Sequence, residues 1–147
     1  MSRNRKWSRG QSAVELAIAV PVLVLLLVVA ADFARAFFFS IAVNNAARAG
    51  AQYGSQTVIT AADLNGMKSA ATTDGSNVPS LTATASQCTC ESPSGSVTPC
   101  AGSYCTANAT ATFVEVDTSA PFTTIVKYPG VPHSLTLTGK AVMQVQE

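Results

Sequence analysis

One long hydrophobic pattern dominates the first third of the chain and predicts a single helix over roughly residues 13–50. No residue from Leu16 to Ala31 is charged, and Pro21 is the only one outside the aliphatic set. As a helix this run is about 24 Å long, against about 30 Å for the hydrocarbon core of a bilayer. Beyond it, Asp32 and Arg35 are predicted to pair on the helix surface. Aromatic and aliphatic residues follow at helical spacing and need the protein's own sheet, a neighbouring subunit or the bilayer surface as a partner. They are Phe33, Phe37, Phe38, Phe39 and Ile41.

The composition changes after this helix to threonine, serine, alanine, glycine and valine. Gly50 and Gly54 are plausible stop signals for the helix. Thr60 is predicted to cap a short second helix that runs to about Ala71, with Asp63 in the position that a capping box uses.

Three later segments have the alternation of β-strands and predict a small antiparallel sheet packed on the second half of the long helix. The first lies at residues 81–85, where apolar residues alternate with threonines, and the second at residues 110–117. The third is the clearest, because every second residue from Leu135 to Val145 is apolar or glycine and faces one way. A long connection before it is predicted from Pro121, Pro129, Gly130 and Pro132. The predicted fold class is therefore α+β.

The positions of the charged residues predict the membrane topology of the chain. Of the nine basic residues, four come before any acid, and without them the acids are in excess. A nucleic-acid partner therefore has no support. Basic residues beside an apolar run stay in the cytoplasm, which predicts a cytoplasmic leader at residues 1–10, an anchor helix at 11–50 and an exported domain at 51–147. A cleaved secretory signal, a signal anchor and a prepilin leader all fit such a start. The four basic residues are Arg3, Arg5, Lys6 and Arg9.

A glycine and a glutamate stand at a particular spacing before the apolar run. Glu15 comes five residues after Gly10, which resembles the type IV prepilin pattern. The resemblance implies that a prepilin peptidase cuts after Gly10 and leaves an α-amine on Gln11. The Glu15 carboxylate of one subunit would then pair with the amine of a neighbour, since a buried charge needs a partner. The alternative is that Glu15 only stabilises the start of the helix through the helix dipole.

Four motifs occur in order between residues 9 and 52: RGQSAVELA at 9–17, VPVL at 20–23, DFARA at 32–36 and NAARAGA at 45–51. Together they resemble the TadE-like family of pseudopilins from the tight-adherence (Tad) pilus system. The sequence departs from the family pattern at Leu16, Ala49 and Gln52, where the family favours an aromatic residue, a glutamate and an arginine.

The resemblance implies a pilin-like fold and a minor pilin or pseudopilin-type structural subunit, involved in assembly of a Tad (Flp-type) pilus, in adhesion or in secretion. It implies an inner (cytoplasmic) membrane location with a single pass, and a place in the pilus is open. The expected partners are the membrane, a prepilin peptidase, other pilins and pilus assembly proteins. The alternative is a single-pass membrane-anchored extracytoplasmic domain with no filament role.

Four cysteines lie close together in the predicted exported domain. Their spacing matches no common zinc motif, which usually has two or more residues between ligands, and no histidine is near. In an oxidising compartment an even number of cysteines favours disulfides, so the domain is predicted to be stapled by two of them. Three pairings are possible, and an antiparallel return of the chain favours the nested pairs Cys88–Cys105 and Cys90–Cys100.

No catalytic motif is evident, so the protein is predicted not to be an enzyme and to use no cofactor, metal or small-molecule substrate. His133, the only histidine, follows Pro132 and is interpreted as a solvated turn residue. Glu115 and Asp117 share one strand face and are interpreted as a solvated polar face. An exported enzyme or a metal-binding module is the remaining alternative.

Overall fold

The computed structural model describes residues 8–90, 111–127, 130 and 132–146, and it confirms the α+β class. The long helix is followed by short helices and a three-stranded sheet in which β2 lies between its antiparallel neighbours β1 and β3. The elements are α1 (Ser8–Gly54), α2 (Val58–Ala62), α3 (Leu64–Asp74), a 3-10 turn (Gly75–Asn77), β1 (Thr82–Cys90), β2 (Ala111–Thr123) and β3 (Ser134–Gln144).

The predicted single helix is confirmed, and it continues past Gly50 to Gly54. Gly50 is not a stop signal, because its lack of a side chain serves packing instead. A Cβ there would lie 2.8 Å from the carbonyl oxygen of Met67 and 3.1 Å from the Cβ of Ala71. Gly50 therefore lets α3 lie directly against α1.

The predicted short second helix is two helices, with caps that differ from those predicted. Thr57, and not Thr60, is the N-cap of α2, and Thr60 completes the capping box by accepting from the Thr57 backbone N–H at 3.0 Å. Asp63 is the N-cap of α3, where its Oδ1 accepts from the Gly66 N–H at 2.8 Å. The sequence pattern does not distinguish the two caps, because both lie within one short threonine-rich and alanine-rich stretch and each fits the same cap preference.

The sheet packs one face against α1 and α3. Val114 and Val116 of β2 are fully buried there, and Ala141 of β3 is opposite Val116 in the register. The predicted alternation of the last strand is confirmed, since its buried positions are those predicted to face one way. The main core cluster contains Ala47, Ala51, Ala61, Met67, Ala71, Val114, Val116, Ala141 and Val145.

The second strand is longer than predicted, and Pro121 lies inside it instead of in the connection. The register explains why a proline is tolerated. Pairing of β1 with β2 ends at Thr82 opposite Ser119, so Pro121 has a neighbour only on the β3 side. A proline has no N–H to donate and is accepted where a strand has a free edge. Pro129 lies outside the described residues.

Candidate functional site

The first half of α1 is an apolar helix whose side chains are largely exposed in the described structure. It is the one helix in the described residues that is long and apolar enough to cross a membrane, by length and composition, and none of its most apolar window is buried. Its aliphatic side chains are exposed on all sides of the helix, including those of Ile18, Leu23, Leu25 and Leu27. In water such a surface is unfavourable, so this half requires an apolar environment.

The predicted processing and assembly residues lie at the start of this half. Gly10 is exposed and has no atom near the place of a Cβ. One helical turn joins Gln11 to Glu15, with the Gln11 Nε2 donating to the Glu15 Oε1 at 3.4 Å. Because α1 begins at Ser8, Glu15 lies beyond its first turn, which contains no acidic residue. Most of the predicted leader, residues 1–7, lies outside the described residues.

A buried carboxylate joins the anchor helix to the sheet domain where the apolar run ends. Asp32 is only 5% exposed. Its two oxygens accept from the backbone N–H of Ile125 at 3.0 and 2.9 Å, in the connection between β2 and β3. Arg35 forms the predicted pair with Asp32 at 3.2 Å, so the pairing is confirmed. The expectation that the pair lies on the helix surface is wrong for Asp32, because the connection covers it.

Aromatic side chains also join the helix to the sheet domain, next to Asp32 on its C-terminal side. The Arg35 guanidinium lies over the ring of Phe122, 5.5 Å from its centroid. Phe39 meets the same ring edge-on, with centroids 6.0 Å apart. One of the predicted aromatic residues, Phe39, therefore uses the protein's own sheet as its partner. Four others of that apolar set stay exposed, namely Phe33, Phe37, Phe38 and Ile41.

The sequence did not single out Asp32 as a buried connecting residue. A usable signal was present, since an ionisable residue at the end of a membrane-length apolar run is costly and needs a partner. Its partner, however, is a backbone N–H that is 93 residues away in the sequence. Side-chain patterns do not predict such a bond.

A second charged group lies on the sheet, and it corrects the predicted solvated face. Glu115 is buried, and Lys140 of β3 donates to its Oε1 at 2.6 Å. Asp117 lies 3.8 Å from the same Lys140 nitrogen and is about half exposed. Partial burial raises the pKa of Asp117 above its ordinary value, and Glu115 adds to this effect while Lys140 opposes it. This arrangement ties β2 to β3 and explains the charges structurally.

The predicted disulfide residues are only partly within the described chain. Cys88 is buried in β1 opposite Phe113, and it is disulfide-bonded. The side chain of Cys90 is not described, and Cys100 and Cys105 lie outside the described residues. The two bridges and their nested pairing therefore stay predictions.

Few side chains in the described part of the chain are candidates for catalysis or metal binding. His133 is exposed, and its Nδ1 lies 2.9 Å from the Thr124 hydroxyl in the connection between β2 and β3. No group of three or more metal-ligating side chains occurs among residues 8–90, 111–127, 130 and 132–146.

These features define a class: an α+β protein whose long N-terminal helix is exposed and apolar in its first half and packed on a small sheet in its second. The family model for TadE-like proteins matches residues 10–52, which confirms the resemblance that the four motifs indicate. No curated protein and no solved structure matches the chain. The matched segment coincides with α1 and leaves the sheet domain outside it.

Proposed function

We propose that the protein is a minor pilin or pseudopilin-type structural subunit of a Tad (Flp-type) pilus, and not an enzyme. Its anchor is the first half of α1, which crosses the inner membrane once with the N-terminus in the cytoplasm and the sheet domain outside. The observation that carries the proposal is the exposed aliphatic surface of this half, which lies within the segment that matches the TadE-like family. Such a surface suits both lipid and the helices of other pilins.

Processing by a prepilin peptidase is the first step of the proposed function. Gly10 is exposed and has open space around it, so a protease could reach the bond to Gln11. Cleavage would leave an α-amine at the new start of the helix, one turn from Glu15. A neighbouring subunit could then offer its Glu15 carboxylate to this amine inside an apolar bundle, where the pair fixes the register between subunits.

The mass of the mature protein tests the processing step. The full chain is expressed with and without the prepilin peptidase of its own pilus system, extracted from the membrane and weighed intact. We expect loss of residues 1–10, and we expect Gly10→Leu to abolish this loss while the control Ser12→Ala is cut normally. A mature chain that keeps its leader would favour a signal anchor, and one that starts after Ala31 would favour a secretory signal.

Association with pilus partners tests the role of Glu15. We expect Glu15→Ala to be inserted and cut normally but to co-purify poorly with other pilins, because an unpartnered buried amine costs about 3–5 kcal/mol. The control Gln11→Ala removes the hydrogen bond within the helix but keeps both the carboxylate and the α-amine, so association should persist. If Glu15 only interacts with the helix dipole, the loss is about 1 kcal/mol or less. Wild-type association of Glu15→Ala would leave Glu15 with this helix-dipole role alone.

A further inference from the structure

Two apolar residues project from the connection between β2 and β3, directly beside the end of the apolar helix. Ile125 is 59% exposed and Val126 is 42% exposed, and an exposed Lys127 follows them. Exposed aliphatic side chains in a connection are unfavourable in water. We call the segment formed by Ile125, Val126 and Lys127 the tip. Their position is fixed, because both oxygens of Asp32 hold the backbone N–H of Ile125 at 3.0 and 2.9 Å.

The length of the apolar run sets the level of this tip relative to a bilayer. The run from Leu16 to Ala31 is about 6 Å shorter than the hydrocarbon core. If Glu15 stays near the cytoplasmic surface, the bilayer must therefore extend about four residues past Ala31 and take in both Asp32 and Phe33. Phe33, at the next position, is 74% exposed and suits this level. Ile125, bonded to Asp32, lies at the same level of the helix.

The charges at the junction are arranged so that it can enter the membrane interface. The Asp32 carboxylate is covered, bonded to a backbone N–H and paired with Arg35, so it would not meet lipid as an unpartnered charge. An unpaired carboxylate at this depth would be costly. Lys127 places a cation beside the two aliphatic residues, where it can reach lipid phosphates while its stem stays apolar.

We propose that the tip formed by Ile125, Val126 and Lys127 is a second membrane contact, which inserts its aliphatic side chains into the outer interface of the bilayer. The inference rests on the proposed membrane anchor. With α1 in the membrane and the tip on its surface, the domain would have two attachments, and the Asp32 bond would hold it at a fixed angle to the lipid surface. The occupant of this patch is thus lipid and not a second protein chain.

Tryptophan placed at the tip and quenched by brominated lipid measures this contact directly. The single native tryptophan, Trp7, is replaced by phenylalanine, and Ile125→Trp is introduced into the full chain. The protein is reconstituted in vesicles of phosphatidylcholine and phosphatidylglycerol, with or without bromine on the acyl chains. Matched variants are Phe33→Trp on the helix and Ile59→Trp, an exposed isoleucine on α2. The end of α1 lies about 33 Å beyond Asp32 along the helix axis, and Ile59 follows this end in the chain.

We expect brominated lipid to remove most of the emission of Ile125→Trp and of Phe33→Trp, and to leave Ile59→Trp unchanged. Adding Asp32→Ala should reduce the quenching of Ile125→Trp but not that of Phe33→Trp, because only the tip is released. Quenching at Phe33→Trp without quenching at Ile125→Trp would overturn the inference and leave the membrane anchor intact. Absence of quenching at both would overturn the anchor itself. A blue-shifted Ile125→Trp that brominated lipid does not quench would assign the patch to a protein partner and also overturn the inference.

Discussion

The two halves of α1 belong to one continuous helix but meet different surroundings. In the first half, the aliphatic side chains from Val14 to Val29 are exposed, apart from the half-buried Val28. In the second half, Val43, Ala46, Ala47 and Ala51 are fully buried against the sheet and α3. The first half therefore depends on lipid or on other subunits for burial, while the second is part of the protein's own core.

The difference lies in side-chain size as well as in burial. The first half is rich in leucine and valine and has no polar stripe, whereas the buried face of the second half consists mostly of alanine and glycine, together with Val43. Small residues let the sheet approach the helix backbone closely. The Thr118 hydroxyl of β2 donates to the carbonyl oxygen of Val43 at 2.8 Å, although that carbonyl belongs to a helix. Large side chains suit an adaptable apolar solvent, and small ones suit one fixed partner.

Truncating a buried methionine should break the packed half and leave the exposed half untouched. Met67 of α3 is fully buried and is among the largest buried side chains. We expect Met67→Ala to lower the free energy of unfolding by about 2–5 kcal/mol through lost burial and a cavity. Leu23→Ala removes a similar aliphatic group from the first half and should change the free energy of unfolding by less than about 0.5 kcal/mol. Urea unfolding of the full chain in detergent, followed by tyrosine emission, measures both.

Equal destabilisation by the two alanine variants would contradict the comparison, because it would mean that the first half also packs on the domain. If Leu23→Ala affects membrane insertion and not the free energy of unfolding, the first half serves the membrane and not the core of the domain.

The next largest expected difference in stability is between two glycine-to-alanine changes, one in contact with the second half of α1 and one at the start of its first half. A Cβ at Gly139 of β3 would lie 2.7 Å from the carbonyl oxygen of Val43 and 2.9 Å from the Cα of Asn44. These are backbone atoms that cannot rotate away, so we expect Gly139→Ala to cost about 1–3 kcal/mol of stability. Gly10→Ala makes the same change where no atom lies within 4 Å, and it should leave the stability of the domain unchanged. A shift in the urea midpoint for Gly139→Ala no larger than that for Gly10→Ala would show that the helix and sheet are not in fixed contact.

Much of the fold could be predicted from the sequence because its signals are local. The apolar run predicts α1, and the alternation from Leu135 to Val145 predicts β3. The caps of α2 and α3 cannot be predicted in the same way, because Thr57, Thr60 and Asp63 offer competing local hydrogen bonds in adjacent turns. Only the packing of α3 on α1 selects between them.

The residues of the candidate site also fall into those that a local sequence pattern predicts and those that only long-range contacts determine. Gly10 and Glu15 could be predicted because their pattern is a short spacing beside an apolar run. The bond from Ile125 to Asp32 could not, because it joins a backbone group to a side chain far away in the sequence. The burial of Glu115 could not be predicted for a related reason. Two carboxylates on one strand face are usually solvated, and only the register with β3 brings Lys140 beside them.

The smallest expected effect concerns pH, and it belongs to the short helices that pack on the second half. Asp63 accepts from the Gly66 N–H at 2.8 Å and from the Tyr53 hydroxyl at 3.0 Å. These bonds favour the carboxylate and hold the pKa of Asp63 below its ordinary value of 3.8. A lowered pKa in the folded state means that the stabilisation is present above pH 3.8 and is lost as the pH falls through the folded-state pKa. Burial raises the pKa of Asp117, so its contribution has the opposite sign.

Asp63→Asn should therefore be less stable than the wild type at neutral pH, and this difference should shrink as the pH falls below 3.8. For Asp117→Asn we expect the opposite trend, in which the wild type loses stability relative to the variant as the pH rises through the folded-state pKa of Asp117. Urea midpoints of the three proteins in detergent between acidic and neutral pH measure these trends. A difference for Asp63→Asn that is constant with pH would mean that the amide and the carboxylate cap α3 equally well. The acid sensitivity of the domain would then have to arise at another carboxylate.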